Sequence, residues 1–551
     1  MRKQDFALEV QELLKLYAAH PQVTALDTLL KNDTSRNIFL KGLNGSGPAM
    51  TIASLFTKGR GSYVCVLNDQ EEAGYFYHDL MQLTASDEVY FFPSAYRRAI
   101  KYGHVDPANE ILRTEVLSRL QDPDASFVIV TYPDALAERV VAREVLKENT
   151  LKISVGEKLD NMFVSDVLDE YGFEQVDYVY EPGQYALRGS ILDVFSFSNE
   201  FPYRIDFFGD EVETIRTFDV ETQLSKEKLD SIYIVPEMSK NAMDSTSLLG
   251  SLPRNTCIAA RDLAWCKERI GSVWNDDPVV ADEESFADID QMRKKLVRGE
   301  DFLREVLDFR RIHFGARPMG TADATIHFST QTQPIYHKNF DRVSESFHKY
   351  LDEGYTLYIL SDQEKQANRI RMIFEDRGDN IPFTAVNRTI HEGFADDTLR
   401  ICFFTDHQLF DRFHKFNLKS DKARSGKITL SLKELNQFSQ GDYIVHIDHG
   451  VGQFGGLVRT EVNGKMQEAI KLIYQNNDII FVSIHSLHKL SKYKGKESGE
   501  PPKLSKLGTG AWEKMKERTK AKVKDIARDL ILLYSKRKQE TGFAYTPDSF
   551  M

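Results

Sequence analysis

The feature that most constrains the fold is a glycine-rich segment, Gly42–Ala49, which lies between two apolar stretches. Ile38–Leu40 before it predicts a buried strand, and Ala49–Phe56 after it predicts a helix. The alternation continues, with strands expected at Tyr63–Leu67, Val89–Phe92 and Phe127–Val130, and helices at Gln70–Thr84 and Asn109–Leu120. Such alternation is typical of a parallel sheet covered by helices.

The spacing of this loop matches the phosphate loop G-x-x-x-x-G-K-[ST], but its chemistry does not. Gly42, Gly45 and Gly47 are present, whereas Pro48 replaces the phosphate-binding lysine and Ala49 replaces the hydroxyl that holds Mg²⁺. The proline also removes one backbone N–H from the loop. We therefore expect no nucleotide binding here, and the glycines would serve only to make a tight turn from strand to helix.

The apolar pattern changes several times after residue 150, and 551 residues exceed what one core usually supports. We expect a multidomain α/β protein whose first domain is interrupted by a small mixed β insertion. A second small α/β domain, an SH3-like or Tudor-like β barrel and a C-terminal linker helix would follow. The predicted ranges are 1–150 and 237–320 for the first domain, 151–236 for the insertion, 321–436 for the second α/β domain, 437–500 for the barrel and 501–551 for the helix.

Periodicity and turn residues predict individual elements in the later ranges. Helices are expected at Phe286–Phe309, Phe347–Leu351, Lys365–Phe374 and Trp512–Lys538. Strands are expected at Leu357–Leu360, Leu399–Phe404, Tyr443–Ile447, Phe454–Glu461, Ala469–Tyr474 and Ile479–Ser483. The last four strands are short and close together, which is the basis for predicting a small antiparallel barrel.

Charge and cysteine usage narrow the range of functions. The net charge is −12, yet residues 501–541 carry 12 Lys and Arg against 5 Asp and Glu. An acidic body with one basic segment favours protein docking, with nucleic-acid contact at most local. The four scattered cysteines predict buried thiols in a reducing cytoplasm. The sequence has no apolar run that predicts a membrane-spanning helix.

Two motifs carry a resemblance to a known family. Tyr185–Phe195 and Pro202–Glu213 resemble a pattern shared by the excision-repair protein UvrB and the bacterial transcription-repair coupling factors (Mfd). Tyr443–Gly452 resembles the start of the coupling factors' RNA-polymerase-interacting domain, and Thr405–Phe410 resembles the end of their third domain. Since UvrB needs the lysine and hydroxyl of the phosphate loop, Pro48 and Ala49 favour the coupling factors.

The resemblance implies that the β insertion binds UvrA through Arg188, Arg204 and Phe208. Arginine and aromatic side chains dominate interface hot spots, which is consistent with this role. A purely structural alternative is that Arg204 forms an ion pair with Asp206 on the same face of a strand. Phe207 and Phe208 point to opposite faces, so one of them should belong to the core.

The barrel resembles the CarD-type module that binds the RNA polymerase β subunit. A partner strand can add to an exposed sheet edge, and the expected edge is formed by Leu457, Val458, Arg459, Thr460 and Glu461. Alternatively, Leu457 and Val458 are ordinary barrel residues. His446, Asp448 and His449 could be read as metal ligands, but burial or a role in a turn is the favoured interpretation.

These inferences together predict a cytoplasmic, monomeric, non-catalytic platform that binds stalled RNA polymerase and recruits UvrA. ATP, Mg²⁺ and most contact with double-stranded DNA would belong to a translocase motor beyond Met551. The basic helix, with Lys514, Lys516, Arg518, Lys520, Lys522 and Lys524, would be a mechanical linker to that motor more than a phosphate-binding surface. The alternative is an ATP-dependent, UvrB-like DNA-damage helicase, and Pro48 and Ala49 argue against it.

Overall fold

The computed structural model describes the greater part of the chain. The described residues are 10–32, 35–59, 61–95, 107–122, 125–176, 179, 181–220, 224–236, 245–275, 293–334, 336–412, 414–416, 418, 438–462, 465–483, 489–493, 502–508, 510–516, 518–519 and 522. They belong to two compact units, Met1–Gly426 and Lys427–Met551.

The first α/β domain starts with the predicted alternation of strands and helices. Its first helices are Val10–Ala18 (α1), Pro21–Lys31 (α2), Gly47–Gly59 (α3), Gln70–Thr84 (α4), Pro107–Arg119 (α5), Pro133–Leu136 (α6) and Arg143–Glu148 (α7). Its first strands are Asn37–Lys41 (β1), Ser62–Val66 (β2), Val89–Phe91 (β3), Phe127–Thr131 (β4) and Val140–Val141 (β5). The strands and helices predicted up to residue 130 are therefore confirmed.

The β insertion follows at residue 151. Its strands are Leu151–Ser154 (β6), Glu174–Gln175 (β7), Gln184–Arg188 (β8), Ile191–Val194 (β9), Tyr203–Phe208 (β10), Glu211–Phe218 (β11), Ser225–Leu229 (β12) and Ser231–Ile234 (β13). One helix, Asn161–Glu170 (α8), precedes β7. Strands β7 to β12 form a six-stranded sheet in sequential order, antiparallel except for the β7–β8 pair. One face of this sheet packs on α8 and the β6–β13 pair.

The chain then returns to the first domain. The elements are Ser245–Thr246 (β14), Leu248–Ser251 (α9), Cys257–Ala260 (β15), Leu263–Asn275 (α10), Gly299–Val306 (α11), Arg310–His313 (β16) and Ala324–His327 (β17). Seven strands form one parallel sheet in the order β17-β1-β16-β15-β2-β4-β3. Strand β17 pairs with β1 in this sheet, although it lies after residue 320, where the first domain was predicted to end.

The second α/β domain is smaller and has a mixed sheet. Its elements are Thr330–Thr332 (β18), Phe340–Asp352 (α12), Thr356–Leu360 (β19), Glu364–Asp376 (α13), Thr384–Val386 (β20), Phe394–Asp396 (β21), Ile401–Thr405 (β22) and Asp406–Leu409 (α14). The strand order is β18-β21-β22-β19-β20. The predicted helices and strands of this range are present, and a separate core with Val343, Phe347 and Ile370 holds them together.

The second unit contains a five-stranded antiparallel sheet. Its strands are Tyr443–His446 (β23), Gly450–Val462 (β24), Lys465–Ile473 (β25), Ile479–Ser483 (β26) and Leu490–Lys492 (β27), in the order β26-β25-β24-β23-β27. The predicted strands are thus present. Within the described residues, β26 and β27 are the two ends of the sheet and do not pair, so closure into a barrel stays a prediction.

Some predictions fall partly outside the described residues. The helix expected at Phe286–Phe309 is described only from residue 293, where α11 occupies Gly299–Val306. For the helix expected at Trp512–Lys538, residues 511–516, 518–519 and 522 are helical and the rest lies outside the described part. No described helix combines the length and apolarity needed to cross a membrane. Cys65, Cys257, Cys266 and Cys402 are buried, unbridged thiols, as predicted.

Candidate docking surfaces and the glycine-rich loop

The glycine-rich loop connects β1 to α3, as its sequence predicts. Gly42 and Gly45 have φ angles of 90° and 53°, which side chains other than glycine rarely adopt. Pro48 lies in the first turn of α3, where its missing N–H is tolerated, and Ala49 is fully buried. The local geometry is therefore that of a tight strand-to-helix turn.

Segments of the second α/β domain occupy the space around this loop. The Asn44 N–H donates to Thr330 Oγ1 (2.8 Å), and the Ser46 N–H donates to the Glu392 carbonyl (3.0 Å). In a working phosphate loop, backbone N–H groups of this kind point at the phosphates. Added Cβ atoms would lie 2.2 Å from the Phe328 carbonyl oxygen at Gly42 and 2.9 Å from the Gly393 carbonyl oxygen at Gly45. The glycines thus also permit close approach of the second domain.

A buried carboxyl group lies where the glycine-rich loop meets the second α/β domain. Asp79, on α4, accepts hydrogen bonds from Ser46 Oγ (2.5 Å) and from the His391 N–H (2.7 Å). Ser46 Oγ in turn accepts from the Glu392 N–H (3.0 Å). Burial raises the pKa of Asp79 to about 8. Asp79 was not among the predicted site residues; its signal in the sequence is an acidic residue among the apolar positions of a helix.

The three residues predicted to contact UvrA lie on one face of the six-stranded sheet. Arg188 on β8, and Arg204 and Phe208 on β10, alternate with side chains that belong to the core on the other face. Phe208 is 80% exposed, whereas its neighbour Phe207 is 4% exposed. The prediction that one of the two phenylalanines belongs to the core is confirmed, and that residue is Phe207.

A buried carboxylate on the intervening strand links the two arginines. Asp193 on β9 is fully buried and accepts from Arg204 Nε (2.7 Å), Arg204 Nη2 (2.8 Å) and Arg188 Nη2. The Arg204 guanidinium also stacks 4.3 Å above the centre of the Phe218 ring. The hydrogen bonds to Asp193 raise the pKa of Arg204. The structural alternative of an ion pair is present for Arg204, but its partner is Asp193 on the neighbouring strand, while Asp206 pairs across the sheet with Arg216.

In the second unit, the predicted edge is the C-terminal part of β24. Residues Leu457–Val462 pair with β25, while β23 pairs with β24 only over Gly450–Gln453. In the described residues, no strand therefore lies on the other side of 457–462. Leu457 packs against the core of the sheet, as in the structural alternative, and Val458 is half-buried. Nothing is described for the side chains of Thr460 and Glu461, which belong to this edge through their backbone.

The linker segment, which follows the predicted barrel boundary at residue 500, contacts the same sheet. The Ser505 N–H donates to the Val451 carbonyl (2.9 Å), and the Val451 N–H donates to Ser505 Oγ (2.9 Å). Trp512 Nε1 and Lys516 Nζ both donate to the Ile447 carbonyl, at 3.0 and 2.9 Å. The beginning of the linker helix is thus attached to the turn between β23 and β24, and the Lys516 ammonium is engaged there.

The histidines of this turn have structural surroundings. His446 is 4% exposed, and its Nδ1 accepts the Asp448 N–H at 3.0 Å. Burial and the neighbouring His449 lower the pKa of His446 to about 3, so it is neutral at physiological pH. Among the described residues, no group of three or more His, Cys, Asp and Glu side chains is arranged to hold a metal ion. The burial of His446 and its hydrogen bond to the Asp448 N–H agree with the favoured interpretation of burial and a role in the turn.

Two family models match the chain at the segments just described. The UvrB interaction domain matches residues 151–239, which are the β insertion. The CarD-like/TRCF RID domain matches residues 438–494, which contain the five-stranded sheet. Both matches fall on the segments whose motifs carry the resemblance, and they confirm it.

Proteins named transcription-repair-coupling factor are similar to almost the whole chain. The one from Bacillus subtilis (strain 168) is 25% identical over 591 residues, covering 93% of this chain and 50% of the relative. That of Staphylococcus aureus (strain bovine RF122 / ET3-1) is 25% identical over 613 residues, covering 96% of this chain and 52% of the relative. The chain spans about half the length of these curated relatives. Along almost all of its length, the chain is therefore similar to the N-terminal portion of the transcription-repair-coupling factors.

Proposed function

We propose that this chain is a non-catalytic docking platform that binds RNA polymerase through the β24 edge and UvrA through the β insertion. The strongest support is that each family model covers a sheet that carries one of the predicted docking surfaces. The UvrB interaction domain model covers the sheet on which Arg188, Arg204 and Phe208 share a face, and the CarD-like/TRCF RID model covers the sheet with the β24 edge.

The chemistry of the insertion fits protein docking. Phe208 offers an exposed aromatic ring, and the two guanidiniums on the same face of the sheet are held by Asp193. Rigid aromatic and arginine side chains contribute most of the binding energy in many interfaces. We expect the contact on UvrA to contain an acidic group close to an apolar one, since these complement an arginine and a phenylalanine.

The β24 edge fits recognition by strand addition. An extended segment of the RNA polymerase β subunit would pair with Leu457–Val462 through main-chain hydrogen bonds. The linker segment is attached to the same sheet through Ser505 and Trp512. A motor joined to this helix would therefore pull on the polymerase-binding sheet without an intervening flexible hinge at Trp512. Double-stranded DNA would be bound mainly by that motor, and the platform itself would act as a monomer.

The glycine-rich loop is proposed to hold domains together and not to bind nucleotide. This chain should not bind ATP, because two charge-compensating side chains are replaced and the N–H groups of Asn44 and Ser46 are engaged within the protein. Equilibrium titration with a fluorescent ATP analogue and Mg²⁺ measures it. Micromolar, Mg²⁺-dependent binding that is lost when the loop is altered would overturn the proposal.

A restored loop provides a sharper version of this test. Pro48→Lys combined with Ala49→Thr supplies both missing groups of the phosphate-loop pattern. We expect this variant also to bind no nucleotide. The Glu392 carbonyl and the Thr330 hydroxyl still accept hydrogen bonds from the loop N–H groups that would otherwise face the phosphates. Nucleotide binding by the folded double variant would mean that Pro48 and Ala49 alone exclude ATP in the natural chain.

A further inference from the structure

The position of Asp193 between the two docking arginines has a consequence for binding. We propose that Asp193 is a positioning residue, which holds the Arg188 and Arg204 guanidiniums in the orientation that UvrA recognises. This inference rests on the proposed function of the β insertion. Asp193 itself is fully buried and would not touch the partner.

The strand order makes one carboxylate serve both arginines. Strand β9 lies between β8 and β10, and Asp193 is paired with Ala186 on one side and Arg204 on the other. Arg188 lies two residues beyond Ala186, on the same face, and reaches back to the carboxylate. Arg204 uses Nε and Nη2 together, at 2.7 and 2.8 Å, which is the bidentate geometry that fixes a guanidinium plane.

Fixing these side chains matters because both carry many rotatable bonds. An arginine that is ordered only on binding loses side-chain entropy at that moment, whereas one already held in place loses little. The side chains of Arg188 and Arg204 keep 35% and 15% of their surface exposed, so both still reach the face that carries Phe208. The buried charge also needs its partners, since an isolated carboxylate in this position would be strongly disfavoured.

A double-mutant cycle on the full chain tests the proposal. Affinity for UvrA is measured for the wild type, Asp193→Asn, the Arg188→Ala/Arg204→Ala pair, and the triple variant, each shown to be folded by circular dichroism because the pair leaves Asp193 without its arginines. We expect Asp193→Asn to weaken binding by about tenfold, and to have no further effect once both arginines are absent. A loss that is equally large without the arginines, or an unchanged affinity in folded Asp193→Asn, would overturn the proposal.

Two further variants keep the test decisive. Arg204→Lys keeps the charge but cannot form the bidentate pair, so it should weaken binding even if Asp193→Asn fails to fold. Unchanged affinity in Arg204→Lys would count against positioning. Asp134→Asn is the matched control, since it removes an Asp–Arg pair with Arg269 in the first α/β domain, at 3.0 Å. It should leave affinity for UvrA unchanged.

A readout without UvrA separates this proposal from the proposed function. The Arg204 Nε–H should exchange slowly with solvent in the wild type and rapidly in Asp193→Asn, as followed by NMR of the arginine side chains. Fast exchange in the wild type would overturn the positioning role. A folded wild-type chain that shows slow exchange but does not bind UvrA would instead overturn the proposed function.

Discussion

Replacing Arg204 and Phe208 together with alanine is expected to weaken UvrA binding by well over tenfold. Loss of one hydrogen-bonded interface arginine commonly costs about 2–5 kcal/mol, much of it from the partner charge left without a counter-ion. Phe208 adds an aromatic ring that is 80% exposed in this chain and has no packing role to lose. Calorimetric titration with UvrA, without nucleotide, measures the effect.

Stability must be measured on the same samples, because Arg204 also neutralises buried Asp193. The neighbouring residues Phe207 and Phe208 supply a matched pair of single variants. Phe208→Ala should lower affinity and leave the melting temperature unchanged. Phe207→Ala should destabilise the domain by about 3–5 kcal/mol, because it empties a core position, while the folded fraction still binds UvrA. Unchanged affinity in a well-folded Arg204→Ala/Phe208→Ala variant would remove both residues from the docking site.

A proline placed in the β24 edge is expected to weaken binding to the RNA polymerase β subunit by about tenfold or more. Successive N–H groups of a strand point in opposite directions. Of Arg459→Pro and Thr460→Pro, one therefore removes an N–H on the side away from β25, and the other removes an N–H directed at β25. The first variant should fold and fail to bind, whereas the second should lower the stability of the sheet.

Binding to the polymerase subunit and thermal unfolding of the second unit are measured for both variants. Circular dichroism separates a lost sheet from a lost contact. If both prolines leave binding intact in folded protein, strand addition at Leu457–Val462 is wrong and another part of the sheet must be used. The opposite edge strand, β26, with Ile479 and Phe481 exposed, would then be the next candidate.

Local patterns predicted the elements well because they depend on neighbouring residues. The apolar run at Ile38–Leu40 and the glycines after it specify a strand and a turn without any other part of the chain. The alternation in Tyr203–Phe208 likewise placed Phe207 and Phe208 on opposite faces. These features need only the periods of strands and helices and the conformational freedom of glycine.

Contacts between distant segments could not be predicted in the same way. Ser46 and Glu392 are far apart in the sequence, and nothing in the residues around either of them indicates that the two share hydrogen bonds. The same is true of strand β17, which joins the sheet of the first domain, and of Trp512, which packs onto the turn at Ile447. The role of Asp193 also depends on strand order, since the carboxylate serves both arginines only because β9 lies between β8 and β10.

The central claim is that one non-catalytic chain joins two partners through separate surfaces. Sedimentation of the chain with RNA polymerase and UvrA, in the absence of nucleotide, tests this claim most directly. We predict a complex that contains all three proteins. The Arg204→Ala/Phe208→Ala variant should lose only UvrA, and the outward-facing proline variant in β24 should lose only the polymerase. Mutually exclusive binding of the two partners, or assembly that requires ATP bound to this chain, would contradict the account.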